Sequence, residues 1–443
     1  MSGRVGSWLA RAPRKPALFA AMAALVCLVG VVQSWSLALA IVNLCLISAI
    51  MTLGVNIQWG YAGLFNAGVM GFAALGGLAG ILVAMPPVAA AWRAGGGGVL
   101  VGLALAALTV FAVLFVRRRL GKRWLRRLAV ALLLIGGALA ARAVFAPAVE
   151  AVEAIDPTVT GYLGGLGLPI VVAWLVGGAF AAAAAWVCKI SLSLRSDYLA
   201  IATLGIAEII VAILKYEEWL TRGVKNVTGL PRPVPYEIDL QNAVWFGEWA
   251  AALGVSEVDL SSIVVKLCYA GLFLLVLVIL TWLSETALRS PWGRMMRAIR
   301  DNETAARAMG KDVAARHLQV FVLGSAVIGI AGAMLTTLDG QFTPASYQPM
   351  RFTFLIWVMV IVGGSGNNWG AVLGGFLVWY VWVQAEPVGL QVMELVTAPM
   401  APESPLKAHL LASAAHTRPI VMGAVLLLVL RFAPRGLIPE ERR

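Results

Sequence analysis

The segment from Arg289 to Arg316, RSPWGRMMRAIRDNETAARAMGKDVAAR, lies between two long apolar runs, and the rest of the chain is read outward from it. It cannot itself sit in a bilayer. Arg289, Arg294, Arg297, Arg300, Arg307, Lys311 and Arg316 would each cost roughly 2.5–3.5 kcal/mol there, even on a lenient insertion scale. The segment is therefore a loop between spans, and its basic excess places it on the cytoplasmic side. Inside it the local signals spell a short helix. Asp301 or Asn302 can cap its start, Glu303 falls in the first turn where the helix dipole favours an anion, and Gly310 is placed to end it. Glu303 and Arg307 are spaced i,i+4, and the helix runs about two turns, roughly 10–12 Å. Ala305 and Ala308 share a face with Ala306 beside it, small enough to let another protein approach closely. These residues fit an ordinary basic membrane loop and a docking helix equally well.

A resemblance separates the two readings. In DNETAARAMG, Glu303 followed by Ala305, Ala306 and then Gly310 resembles the cytoplasmic coupling loop of ABC importer permeases. The surrounding RAIRDNETAARAMGKDVAARHLQVF is similar to the LivM-type permeases of branched-chain amino acid importers. In that family the short helix docks in a groove of the ATPase subunit. The resemblance implies that role for Asn302 to Gly310, with Arg297 and Asp301 counted among the coupling residues.

Composition fixes the class independently. Of 443 residues, 60% are hydrophobic and only 13% charged, which excludes the soluble classes. Repeated apolar runs near twenty residues predict an all-α polytopic membrane protein with about 10–12 spans. The net charge of +12 does not indicate nucleic acid, because the basic residues cluster at the ends of apolar runs. Cys27, Cys45, Cys188 and Cys268 all fall in apolar runs without metal-ligand spacing and read as unpaired thiols. By the charge-derived topology His317 lies on the opposite side from His409 and His416, so no metal site is expected. No catalytic constellation and no phosphate-binding G-x-x-x-x-G-K-[ST] occurs.

Taken in order, residues 1–16 form a basic N-terminal tail holding Arg4, Arg11, Arg14 and Lys15. The run Ala17–Val32 then reads as an uncleaved first span, with a signal peptide as the rival because Ala38-Leu39-Ala40 resembles a cleavage site. A second span covers about 37–53. Residues 53–80, LGVNIQWGYAGLFNAGVMGFAALGGLAG, are apolar yet crowded with glycine, and they carry Asn56, Gln58 and Asn66. Glycines allow close helix packing, here through Gly54, Gly63, Gly68, Gly71 and Gly76, or a break lining a transport path. The stretch is similar to the family signature GYAGLxSxGHAAFxGxGAY, which marks Asn56, Tyr61, Gly63, Asn66 and Gly68 as path candidates. It departs from that signature at Asn66 and Val69, where Ser and His are usual.

A loop is expected at 86–98, then a helical hairpin over 99–147 whose tip carries Arg117, Arg118, Arg119, Lys122, Arg123, Arg126 and Arg127. The hairpin is an insertion relative to shorter family members and could meet anionic lipid. An acidic loop at 147–168 and a span from Pro169 to Cys188 follow. SDYLAIATLGIAEII resembles the family's Asp-Tyr-Phe-Ala-Ile-x-Thr-Leu signature and adds Asp197, Tyr198 and Thr203 to the path candidates. Glu208, deep in that run, is either a packing residue or a polar group facing the path. Residues 215–260 form an acidic outer loop, where TRGVKNVTGLPRP resembles a family segment rich in glycine, with Arg222 and Asn226 at two usual glycine positions. The cytoplasmic loop 285–317, an outer turn at 339–350, a tight turn at GGSGNNWG (363–370), an outer segment at 386–418 and a cytoplasmic tail at 433–443 complete the transmembrane domain 17–432.

The resemblance covers roughly residues 40–85 and 196–440. It implies a permease of the branched-chain amino acid/ribose type in a bacterial inner membrane, and the clustering of basic residues puts both termini on the cytoplasmic side. It implies no cofactor on this chain, ATP and Mg on two separate ATP-binding subunits, a second homologous permease and an external substrate-binding protein. The alternatives are the same permease class carrying urea or short amides, and a stand-alone carrier or channel.

Overall fold

A computed structural model describes residues 14–156, 160–400 and 404–440; Arg4, Arg11, Arg442 and Arg443 lie outside them. Among the described residues nine helices are long and apolar enough to cross a membrane, or ten if the bent pair Pro405–Ala412 and Thr417–Phe432 is one span. With two shorter apolar helices, Val69–Ala84 and Met350–Gly363, they match the apolar runs of the sequence one for one. In hydrocarbon every backbone N–H and C=O must bond within the protein, and a helix satisfies them inside each segment. The chain is an integral membrane protein of the all-α class.

The core is built around Trp35–Ala62, which is buried along most of its length and packs on the helices Glu257–Arg289, Val313–Asp339, Leu355–Gly363 and Asn368–Thr397. Small residues set how close these helices come. A Cβ on Gly54 would stand 2.8 Å from the Gly324 carbonyl oxygen, and one on Gly76 would stand 1.9 Å from that of Gly329. Gly177 in turn abuts Gly76, so the helices Val69–Ala84, Ile170–Val187 and Val313–Asp339 meet backbone to backbone.

The loops that charge placed on one side do touch one another. At one end the Val88 N–H donates to Leu163 O, the Leu163 N–H to Trp219 O and the Leu230 N–H to Gly340 O, each at 3.1 Å. Val227–Thr228 pairs antiparallel with Gln341–Phe342 at that same end. At the other end the 289–316 loop, the 363–370 turn and the C-terminal tail converge, with the Leu437 and Ile438 N–H groups donating to Val362 O and Gly363 O at 2.9 Å.

Several boundaries differ from the sequence reading. The second span runs to Ala62 rather than Leu53, because nothing from Gly54 to Ala62 breaks a helix whose polar side chains find partners. The 86–98 loop is helical from Ala89, with a π turn at Trp92–Gly96. The hairpin is correspondingly longer, Ala89–Arg119 against Arg123–Glu153, with Pro147 inside the second helix. It meets the body near Ala91, Val152, Leu163 and Trp219, where Glu153 Oε1 accepts the Trp219 backbone N–H at 3.1 Å. Elsewhere its apolar side chains, Phe111 and Ile135 among them, are exposed. The 386–418 segment is largely helix, since Asn368–Thr397 continues through Pro387.

The 215–260 loop holds the short helices Glu218–Thr221, Glu237–Gln241 and Val244–Leu253. In it Arg222 and Asn226 adopt φ of 56° and 59°. These are the two positions where glycine is usual in the resemblance, and the reason is conformational: positive φ strains any residue with a Cβ. Asn226 has ψ 158°, a region that belongs almost to glycine alone, and its buried Oδ1 has no hydrogen-bond partner among the described residues. Asn226→Gly is expected to stabilise the detergent-solubilised protein by about 1 kcal/mol, read as a rise in its thermal-unfolding midpoint.

Candidate functional site

The loop between Arg289 and Val313 contains two helices, where the sequence showed one. Ser290 caps the first, Pro291–Asp301, by accepting the Gly293 N–H at 3.4 Å, and Pro291 fits the first helical position. Gly293, Met296 and Ile299 turn inward and Arg294 outward. The signal for this helix was Ser290-Pro291. Asp301 ends it, and Asn302 caps the second helix, Glu303–Ala308, accepting the Ala305 N–H at 2.9 Å. Gly310, at φ 75°, closes that helix: its N–H reaches Arg307 O at 2.9 Å and the Lys311 N–H reaches Ala306 O at 3.1 Å. Ala306 faces the body, while Ala305 and Ala308 face outward beside Met309, which is 78% exposed. Glu303 and Arg307 form an exposed pair at 2.5 Å on this surface. A rigid two-turn helix with a small-residue face thus projects from the basic end of the molecule.

Arg300 connects this loop to the interior, a role invisible in the sequence. Its guanidinium donates to Gly60 O, to the Glu440 carboxylate at 3.0 Å and to the Asp301 carboxylate at 3.3 Å. Beside it a cavity of about 560 Å³ is lined by Arg297, Arg294, Lys15, Glu285, Asn368 and Glu440, among others. Arg300→Ala removes donors to a backbone carbonyl and to a partly buried carboxylate. It is expected to lower stability by about 2 kcal/mol and to loosen the C-terminal tail, seen as faster amide exchange at Leu437 and Ile438.

Gly60 leads directly into the break between two helices. Trp35–Ala62 ends at Gly63, which adopts φ 70°, and Val69–Ala84 begins after Gly68. The candidates on this stretch divide. Asn56, Tyr61, Asn66 and Thr203 are almost wholly buried, Gly68 is buried, and Gly63 is exposed next to Arg300. Asn56 Nδ2 donates to Asn368 Oδ1 at 3.1 Å, the Tyr61 hydroxyl donates to the same oxygen, and Asn368 Nδ2 donates to Glu285 at 3.1 Å. The Gly366 N–H completes the set on Asn56 Oδ1 at 2.8 Å. Deeper in, Gln58 accepts from Asn66 Nδ2 at 2.9 Å and donates to Phe321 O and Ser325 Oγ, both at 3.0 Å. Asn66 Oδ1 accepts the Gly68 N–H at 2.8 Å, Asn66 O accepts from the Trp357 indole at 2.8 Å, and Thr203 Oγ1 accepts the Ala67 N–H at 3.0 Å. Every freed backbone or amide group named here is thereby met inside protein, which is what makes a break tolerable at this depth. The sequence named Asn56 and Asn66 but not their distant partners, Asn368 for Asn56, 312 residues away, and Trp357 for Asn66, 291 residues away.

The remaining candidates, Asp197, Tyr198 and Glu208, lie on the exposed face of the helix Ser196–Tyr216. Its other face, with Thr203 and Ala207, packs on Gly68 and Gly71. Among the described residues no group of three or more His, Cys, Asp or Glu is placed to hold a metal ion.

The sequence is similar to known membrane permease components. The family model described as branched-chain amino acid transport system / permease component matches residues 127–430. The match takes in the second helix of the hairpin, which the sequence reading had set outside the resemblance, and leaves out residues 53–80. The high-affinity branched-chain amino acid transport system permease protein LivM of Escherichia coli is 30% identical over 206 residues, 46% of this chain and 48% of the relative. Its counterpart in Salmonella typhimurium is 30% identical over 189 residues, 42% and 44% of the two chains. The probable branched-chain amino acid transport permease protein LivM of Methanocaldococcus jannaschii is 26% identical over 251 residues, 57% and 62%. The chain spans about half the length of the curated relatives it matches. No solved structure matches it. With the family model covering more than half of its residues, the chain belongs to the family of permease components of branched-chain amino acid transport systems.

Proposed function

We propose that this chain is the permease subunit of an ATP-driven importer for branched-chain amino acids. It works in a bacterial inner membrane with both termini and the 289–316 loop on the cytoplasmic side. A second homologous permease completes the path, two ATP-binding subunits bind the ATP and Mg, and an external binding protein delivers the substrate. The observation that carries the reading is the Glu303–Ala308 helix: capped at both ends, exposed, and tied through the preceding helix and Arg300 to Gly60 at the foot of the broken span. A push on that helix by a docked ATPase would reach the 63–68 break, and through Ala67 and Thr203 the helix Ser196–Tyr216. The names of the relatives supply the substrate class. Radiolabelled leucine uptake tests the reading in cells deleted for this chain and its redundant importers, with and without a plasmid copy. Uptake lost on deletion and restored by the plasmid supports it; unchanged uptake moves the substrate to urea or short amides.

A further inference from the structure

From the helix Ser196–Tyr216 we infer that Glu208 binds the ammonium group of the passing amino acid while the apolar cleft one turn away receives its side chain. Glu208 is the thirteenth residue of this 21-residue helix, about 18 Å from its start, which is near the middle of a hydrocarbon core about 30 Å thick. Its side chain is exposed, and among the described residues no hydrogen bond or ion pair reaches it. A carboxylate at that depth is not stable against lipid, so its surroundings in the working complex must supply water or a cation. Its neighbours on the same face, Gly205 and Ala212, are exposed as well, and a Cβ on Gly205 would meet nothing within 4 Å. The approach to the carboxylate is therefore open.

The second observation is what lies beside it. Leu204, four residues earlier and so one turn along the same side of the helix, lines a cleft of about 650 Å³ with Phe65, Ala67, Thr353, Phe354 and Trp357. Helical side chains lean toward the N-terminus, which aims Glu208 over the Leu204 turn and toward this cleft. The cleft's walls are almost wholly apolar and come from the 63–68 break and from Met350–Gly363. One carboxylate above an apolar cleft complements a cation attached to a branched aliphatic group. It also sits on the elements that the coupling loop reaches through Arg300 and Gly60. The assignment rests on the importer reading, which the same experiment tests separately.

The test uses the assembled complex of this chain with its partner subunits in membrane vesicles. Leucine uptake is measured for the native chain, Glu208→Gln and Glu208→Asp. Separately, Ala212→Cys is introduced after Cys27, Cys45, Cys188 and Cys268 are replaced by alanine, and its reaction with a membrane-impermeant thiosulfonate is timed. The inference expects at least a tenfold rise in KM for Glu208→Gln, partial recovery with Glu208→Asp, and an unchanged yield of complex. It also expects Ala212→Cys to react, at least fivefold more slowly with leucine present and no more slowly with 4-methylpentanoate, which lacks the ammonium group. Uptake by Glu208→Gln within twofold of native, or a thiol inert to the reagent, overturns it. So does loss of the second permease from the Glu208→Gln complex, which would make Glu208 an intersubunit ion-pair residue. If the native complex takes up no leucine, the importer reading for this substrate fails, and leucine protection of the thiol still decides the inference either way.

Discussion

Glu303→Lys is expected to reduce leucine uptake at least tenfold while leaving the amount of protein in the membrane unchanged. The substitution breaks an exposed i,i+4 pair with Arg307 and puts a cation where the helix dipole favours an anion. Those effects together cost about 1 kcal/mol, too little to unfold the loop. Asn302 and Gly310 still cap the helix, so its shape survives. The surface it shows to a partner does not. Glu303 is the only carboxylate of the helix Glu303–Ala308, whose outward side also carries Arg307, and lysine there leaves that helix with cations alone. The loss should come from failed docking, visible as reduced co-purification of the ATP-binding subunits with an intact permease. Full uptake by the variant would remove the docking role from this helix.

Gly76→Leu is expected to act in the opposite way, preventing folding without touching any partner surface. A Cβ at Gly76 would come 1.9 Å from Gly329 O and 2.9 Å from the Ala333 nitrogen, both backbone atoms that cannot swing aside. Gly177 closes the third side. Overpacking in a tight core costs about 1–3 kcal/mol where side chains can adjust, and more where three helix backbones must part. The variant should be lost from the membrane fraction or run as an aggregate in size-exclusion chromatography. As a control, Gly271→Leu fills open space and should behave as the native protein.

The apolar spans and the grouping of loops at two ends were legible because both follow from transfer energetics: apolar length marks the helices that can cross, and charge clustering groups the loops that share an end. Helix ends in the interior were not. Leu53 looked like an end because the glycines and amides after it resemble a loop, yet Asn56 and Gln58 find Asn368, Phe321 and Ser325 across the core and the helix continues to Ala62. Such partners are set by tertiary packing and leave no local trace. Pro147 and Pro387 misled for a related reason, since each sits inside a helix. The first loop helix, Pro291–Asp301, was in principle readable from Ser290-Pro291 and the inward spacing of Gly293, Met296 and Ile299, but the density of arginines obscured it. The Glu303–Ala308 helix, by contrast, was readable in full because its caps are local.

Uptake into proteoliposomes tests the central claim most directly. The chain would be reconstituted alone, and again with the second permease and the two ATP-binding subunits, with the external binding protein and radiolabelled leucine outside and ATP inside. Accumulation only in the full assembly, abolished when a non-hydrolysable ATP analogue replaces ATP, is the expected result. Leucine entry through the chain alone, indifferent to ATP, would contradict it and make the protein a self-sufficient carrier or channel.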